Sequence, residues 1–406
     1  MKIHIPRRAR RAAIGGTAML ALLGLAACDF GPDGDPDVIA FAGSDTTQDV
    51  AGGLVANYNA DPNYNEDPDI PGVDKDNLFN ILSVQSSPLV VPGDEHCGNV
   101  TYHTPAGAGE TLAPNGSSAG RDALKASVLA GNGCIDVARS SAGPRPAGTG
   151  SGQDLPTFQY YAFGLDALGY STASTAAPAN LTLAQLQGIY NCTFTNWNQV
   201  GGANQAIERY WPQAGSGTRA FFQSDILGFD PTLISGPGCP AVQIGQENQG
   251  LTIANNGDQQ SGIQPFSGGN WVAMARGTIP DQRAGQVIGT LNGQNIIFGS
   301  GTSSQLATPA VTGDPNAPVQ EANVRLVNNP PAYPGIRFVF NVIDTSSASY
   351  NSAIRYVGFQ NQNNGSTSPL CSGGKASIVT NFGFGNLDKT VGPRNLAGSA
   401  CRLYTP

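Results

Sequence analysis

Histidine is almost absent from this chain. Only His4, His96 and His103 occur in 406 residues. All three precede Gly116-Ser117-Ser118-Ala119-Gly120, which fits the G-x-S-x-G nucleophile elbow. In α/β-hydrolases the histidine follows the serine, so the order excludes that enzyme class, and no other base stands in its place. His96 and His103 find no third ligand at metal-site spacing. Lys375 is followed by Ala376 and lacks an upstream glycine, so there is no phosphate-cradling P-loop of the Walker type. No two cysteines form a C-x-x-C pair, which weighs against a zinc site. Basic residues are few as well: 21 Lys+Arg stand against 29 Asp+Glu. They form no stripe, which argues against a nucleic-acid partner. After residue 27 no apolar run is long enough to span a bilayer. What these absences leave is a binding or structural protein, with no enzyme expected and no cofactor or metal required.

The N-terminus is where the basic residues gather. Lys2, Arg7, Arg8, Arg10 and Arg11 precede a small, apolar stretch ending in Leu25-Ala26-Ala27-Cys28. This reads as a secretory signal over residues 1–27. The small residues before Cys28 resemble the cleavage box of bacterial lipoproteins, which makes Cys28 the expected lipidated first residue. Taking the five basic residues of this segment from the chain's 21 Lys+Arg, against 29 Asp+Glu, leaves a net charge of −13. Residues 28–37, rich in Gly, Pro and Asp, read as a linker. The protein is expected outside the cytoplasm, tethered to the cell membrane by lipid. The remaining six cysteines, Cys97, Cys134, Cys192, Cys239, Cys371 and Cys401, suggest disulfides in an exported chain. Six cysteines allow 15 connectivities; sequential pairing (97–134, 192–239, 371–401) is expected.

About 370 residues exceed one ordinary core, so two lobes are expected. Strand, polar loop and helix recur, which argues for an α/β architecture. Val38–Ala42 reads as a buried strand and residues 79–91 contain another. The sequence from Asn115 to Gly133 opens a helix and stops it. Asn180 or Thr182 caps a helix with Leu183, Leu186 and Ile189 on its apolar face. Residues 220–229 read as a helix led by a Gly-Ser-Gly-Thr loop. Residues 157–172 form an extended aromatic run fit to carry the chain between lobes, and 336–344 is the candidate return. This divides the body into 38–157 plus 337–406, and 165–336. The Gly/Asn/Gln-rich region 235–335 contains short strands such as 287–291 and 295–298, which have no clear placement.

Four loops share one composition: 43–47, 115–120, 138–143 and 215–219. Each is small and hydroxyl-rich. The first, second and fourth lead helices, whose unpaired N–H groups and dipoles favour anions. Singly they are ordinary caps and turns; together, aimed at one cleft, they suit a tetrahedral oxyanion.

The loops resemble those of phosphate-binding proteins that feed phosphate ABC importers. Ser216-Gly217-Thr218 matches the family's Ser-Gly-Thr helix start, and residues 181–202 resemble the helix and tryptophan segment before it. The resemblance runs from about 38 to 225 and is loose beyond. It implies a two-lobed periplasmic binding-protein fold of type II, with a ligand cleft between lobes. Its implied partners are inorganic phosphate or a similar oxyanion and a membrane permease, for a monomer. The implied ligand-binding residues are Ser44, Asp45, Thr46, Thr47, Ser117, Ser118, Arg139, Ser140, Ser141, Ser216, Gly217 and Thr218. Two positions depart: Ser141 stands where the family has an aspartate, and Pro212 where it has an arginine. Arg139 or Arg219 is then the expected substitute cation, and Asp45 the substitute acceptor or else a helix cap. These departures keep open a second reading, a secreted scaffold that retains the fold without transport.

Overall fold

The computed structural model describes residues 38–61, 76–83, 113–131, 133–307, 309–311, 324–326, 333, 335–358, 370, 375–387 and 402–404. Cys28, Cys97, Cys371 and Cys401, with the signal and linker readings, lie outside the described residues.

The first half of the chain alternates strand and helix: β1 (Val38–Gly43), α1 (Gln48–Ala60), β2 (Asn77–Asn80), α2 (Ser117–Ala130) and β3 (Val137–Ser140). β1 is buried along its whole length, as expected of a strand covered on both faces. α2 ends where Gly131 turns left-handed at φ +63°, a conformation that suits glycine. The long β4 (Phe158–Thr172) follows. Then come α3 (Leu183–Tyr190), β5 (Glu208–Pro212), α4 (Gly217–Phe221), β6 (Gln243–Gly245), α5 (Leu251–Asn255), β7 (Gly262–Ser267) and α6 (Gly268–Arg276). β8 (Ile336–Asp344) and α7 (Tyr350–Val357) come next, and a helix at Lys375–Asn381 and short strands at Gly385–Asn386 and Arg402–Leu403, both antiparallel to β4, follow them. Thr182 caps α3: its side chain accepts from the Gln185 amide, and Gln185 reciprocates. The helix expected after the Gly-Ser-Gly-Thr loop is two pieces, because α4 continues into a π-helical stretch at Phe222–Leu227.

The strands form an 11-stranded sheet whose main order is β2-β1-β3-β8-β4-β7-β5-β6. β1 runs parallel to β2 and β3 at one end; β5 runs parallel to β7 and β6 at the other. Between them lie β8 and β4, paired antiparallel. β4 changes partner along its length. Residues 158–167 pair with β8, whereas residues 168–172 pair with β7. A single strand thus links the β1–β3 part of the sheet to the β5–β7 part. The molecule is α/β and two-lobed. Its crossing strands hold a core that includes Leu165, Leu168, Phe338, Phe340 and Val342.

Among the described cysteines, Cys192 and Cys239 are joined, with Cα atoms 5.7 Å apart. Cys134 is also disulfide-bonded.

Candidate anion-binding site

In open α/β sheets, ligands sit beyond the carboxyl ends of the parallel strands. Here those ends are β1, β3, β5, β6 and β7, and the small loops follow them. β1 stops at Gly43, whose φ is +120°. A side chain there would meet the Arg139 carbonyl at 2.7 Å and Gly120 Cα at 2.9 Å. The absence of a Cβ therefore lets the first loop, the start of α2 and the end of β3 come together.

The hydroxyls of four segments meet in one nest. Ser44 Oγ donates to Ser141 Oγ at 3.1 Å, and Ser117 Oγ lies 3.2 Å from Ser141 Oγ. Thr46 Oγ1 lies 3.3 Å from Thr218 Oγ1, from the opposite lobe. The Ser141 amide donates to Ser117 Oγ at 2.9 Å. Ser216 caps α4 by accepting from the Arg219 amide at 2.9 Å. All of these hydroxyl residues are buried. Gly217 lies so close to the first lobe that a Cβ would come within 2.2 Å of Ser117 Oγ and 2.5 Å of Ser141 Oγ.

Other expected site residues stand apart from this contact. Ser140 Oγ donates to the Ala142 carbonyl, a turn contact. Ser118 contributes its amide, which donates to the Gly215 carbonyl. Thr47 Oγ1 is buried and has no hydrogen-bond partner among the described residues. Arg139, expected as the substitute cation, is placed differently. Its guanidinium donates to the carbonyls of Phe41 (3.0 Å), Ile81 (2.9 Å) and Ser44 (3.3 Å), and to Asn80 and Ser83. It tethers the ends of β1 and β2. Burial pushes it down to about 9, opposed by Asp45 and Asp49. Arg219 is half-buried in the first turn of α4.

The guanidinium that reaches the nest is Arg337, on β8. Its Nη2 donates to Thr218 Oγ1 at 3.0 Å and its Nη1 to the Ser141 carbonyl at 2.9 Å. It is 1 % exposed and pairs with Asp166 at 2.8 Å, itself 0 % exposed. The two residues face each other in the β4–β8 register. Asp166 Oδ1 also accepts from Ser267 Oγ and from the amides of Gly269 and Ala167, which fixes the start of α6. The signal was present in the sequence. β4 carries a single acid, Asp166, and β8 a single basic residue, Arg337, each inside an apolar run, and buried charged groups need partners.

Glu247, beyond β6, was not expected in the site. It is 3 % exposed. Its Oε1 accepts from the Thr46 amide (3.2 Å) and Thr46 Oγ1 (2.7 Å), and its Oε2 accepts from Ser216 Oγ. Asn248 Nδ2 and Asn270 Nδ2 also donate to Thr46, at Oγ1 and at the carbonyl. Asp45 accepts from Gln213 at 3.0 Å and from Gln246. Burial first, and then the neighbouring Glu247 charge, hold the Asp45 carboxyl well above the usual carboxylate range. Beside the nest opens a cleft of about 590 Å³ lined by Asp45, Asp49, Asn115, Gln246, Glu247 and Asn270, among others. Among the described residues no group of His, Cys, Asp and Glu is arranged to hold a metal ion.

A Clostridium perfringens substrate-binding protein solved with bound phosphate is 16 % identical; the match covers 86 % of this chain and 99 % of that one, with a TM-score of 0.48. An ABC-type phosphate transport receptor from Vibrio cholerae is 16 % identical over 86 % of this chain and 99 % of its own, with a TM-score of 0.41. A phosphate-binding protein from Stenotrophomonas maltophilia is 14 % identical over 89 % and 92 %, with a TM-score of 0.45. No curated protein sequence matches the chain. The family model described as PBP superfamily domain matches residues 94–312, more than half of the chain. With its two α/β lobes, its crossing strands and its nest at the strand ends, the chain belongs to the PBP superfamily.

Proposed function

We propose that this protein is an extracytoplasmic solute-binding lipoprotein that takes phosphate or a related oxyanion into the nest and presents it to an ABC-type permease. The observation that carries the reading is the convergence of Thr46, Ser117, Ser141, Ser216 and Thr218 from both lobes, with Arg337 donating to the same group. Hydroxyls, helix-start amides and one guanidinium are donors, and a buried set of donors favours a ligand made of acceptors. The fold supports the same reading, because closing two lobes over a solute is a hinge motion that needs no chemistry. The lipid anchor at Cys28 and the monomeric state belong to the proposal. No helix among the described residues is long and apolar enough to cross a membrane.

Glu247 favours the second reading, a scaffold without transport, since its carboxylate already takes up the Thr46 and Ser216 donors of the nest. Titration calorimetry of the soluble body with phosphate, sulfate and phosphate esters separates the two. Saturable heat with one of them is the expected result. Absence of heat and of any thermal shift with all three would sink the oxyanion reading and leave the scaffold.

A further inference from the structure

Three donors that an oxyanion would use already hold an oxyanion supplied by the chain. The Thr46 amide, Thr46 Oγ1 and Ser216 Oγ all end on the Glu247 carboxylate. Thr46 and Ser216 come from opposite lobes, so this one carboxylate bridges the closed contact. Its backbone is held as well: the Glu247 amide donates to Gln213 Oε1 at 2.8 Å. The next residue, Asn248, has φ +59°, a left-handed conformation that side chains other than glycine and asparagine rarely adopt. Asn248 is fixed there by donating to Thr46 Oγ1 and by accepting from the Ser267 amide at 2.9 Å. The turn after β6 thus aims a carboxylate at the donors.

Charge decides what this means. Arg337 reaches the nest but is already paired with Asp166. A second anion at the Thr46 and Ser216 donors would lie against Glu247, with Asp45 close by. In a buried setting two like charges sharing one site are unfavourable. Resting on the oxyanion reading, we infer that Glu247 is an internal ligand of the nest. It occupies the position of the solute, and solute enters by displacing it. The displaced side chain has somewhere to go, because Glu247 also borders the 590 Å³ cleft, whose walls carry the amides of Gln249 and Gln282 beside the carboxyls of Asp45 and Asp49. Glu247 therefore lowers the affinity of the site by a fixed factor, because only the displaced state binds.

The test compares phosphate affinity at one pH, 7.5, for the unaltered protein, Glu247→Gln and Glu247→Ala, with the fold of each checked by circular dichroism. Both variants are expected to bind phosphate at least about tenfold more tightly, as follows when a competing state is removed. Glu247→Ala should also gain thermal stability from acetate, which restores the missing carboxylate, while the unaltered protein gains none. If a variant does not hold its fold alone, melting in phosphate replaces calorimetry, and the expected result is a phosphate-induced rise larger than that of the unaltered protein. Equal or weaker phosphate binding in both variants, or an equal or smaller rise, overturns the inference and leaves the oxyanion reading standing. No phosphate, sulfate or ester binding by any of the three proteins overturns the oxyanion reading, and the inference with it.

Discussion

Arg337 and Asp166 sit opposite one another on two buried strands, yet their surroundings differ. Asp166 receives the Arg337 guanidinium and three further donors, from Ser267, Gly269 and Ala167. Arg337 gives to Asp166, the Ser141 carbonyl and Thr218. Removing one member of a buried pair typically costs about 3–5 kcal/mol, because the other charge is left uncompensated. Asp166→Ala strands a guanidinium, a hydroxyl and two amides, so it should reach that range. Arg337→Met keeps the three other donors on Asp166, so it should cost less stability. It should nonetheless weaken phosphate binding, since Thr218 loses its donor. Urea denaturation orders the two variants. An Arg337→Met loss as large as that of Asp166→Ala would show that the charge pair alone matters. The legibility of this site in sequence was uneven. The hydroxyl loops announced themselves by composition, because glycine and small polar residues are what a close backbone approach requires. Arg337 was visible as the one basic residue in an apolar run, but its partner depended on strand register, which a chain of residues does not display. Arg139, equally buried, looked like the better candidate from its place beside Ser141. Only the carbonyls around its guanidinium assign it to holding β1 and β2 together.

Elements with a local cause were readable, and elements with a tertiary cause were not. α3 carries its own start signal in Thr182 and Gln185, and α2 its own stop in Gly131. The crossing strands are long and apolar enough to be recognised without knowing their neighbours. By contrast, residues 235–335 show short strands at Val287–Ile288, Thr290–Leu291 and Ile297–Phe298, where the sequence suggested them, but their partners were not legible. A two-residue strand is placed by its partner, which periodicity does not reveal. Glu247 lies in that region, which is why it was missed. The break between α4 and the π-helical stretch is of the same kind: Gly228 donates to the Gln223 carbonyl, five residues back. The loop before β6 is held twice over. Cys239 is bonded to Cys192, just past α3, and Arg209 on β5 donates to the Ile234 carbonyl at 3.2 Å and to the Pro240 carbonyl. The sequence separation of 47 predicts a disulfide contribution of about 4 kcal/mol in the chain-entropy model. Cys192→Ser with Cys239→Ser should lower unfolding free energy in urea by that order. A loss under about 1 kcal/mol would show that Arg209 alone keeps the loop in place.

At the scale of the molecule, the structure is a closed one, and its closure is concentrated at a few contacts. The Ser118 amide donates across to the Gly215 carbonyl at 2.9 Å, Gln213 reaches Asp45, Gln246 meets Asn115, and Thr46 meets Thr218. Gly217 lies among them with no side chain. A methyl group there would fall 2.2 Å from Ser117 Oγ, far inside van der Waals contact, and 3.0 Å from Ser117 Cβ. Ser117 is pinned by its bonds to Ser141, so it cannot step aside without opening the nest. The backbone of Gly217 is helical and its φ is not in the left-handed region, so alanine costs no local strain and should favour α4 slightly. Gly217→Ala is therefore a wedge between lobes in an otherwise well-formed helix. Such a variant should keep its thermal stability approximately, lose at least about tenfold in phosphate affinity, equivalent to about 1.4 kcal/mol, and show a larger radius of gyration in solution scattering. Ala220→Ser, at an exposed position three residues on, should change neither quantity. If Gly217→Ala binds phosphate as the unaltered protein does, with the same radius, then contact at the nest is not what joins solute binding to closure. The coupling would then have to lie in β4 and β8, the strands that both lobes share.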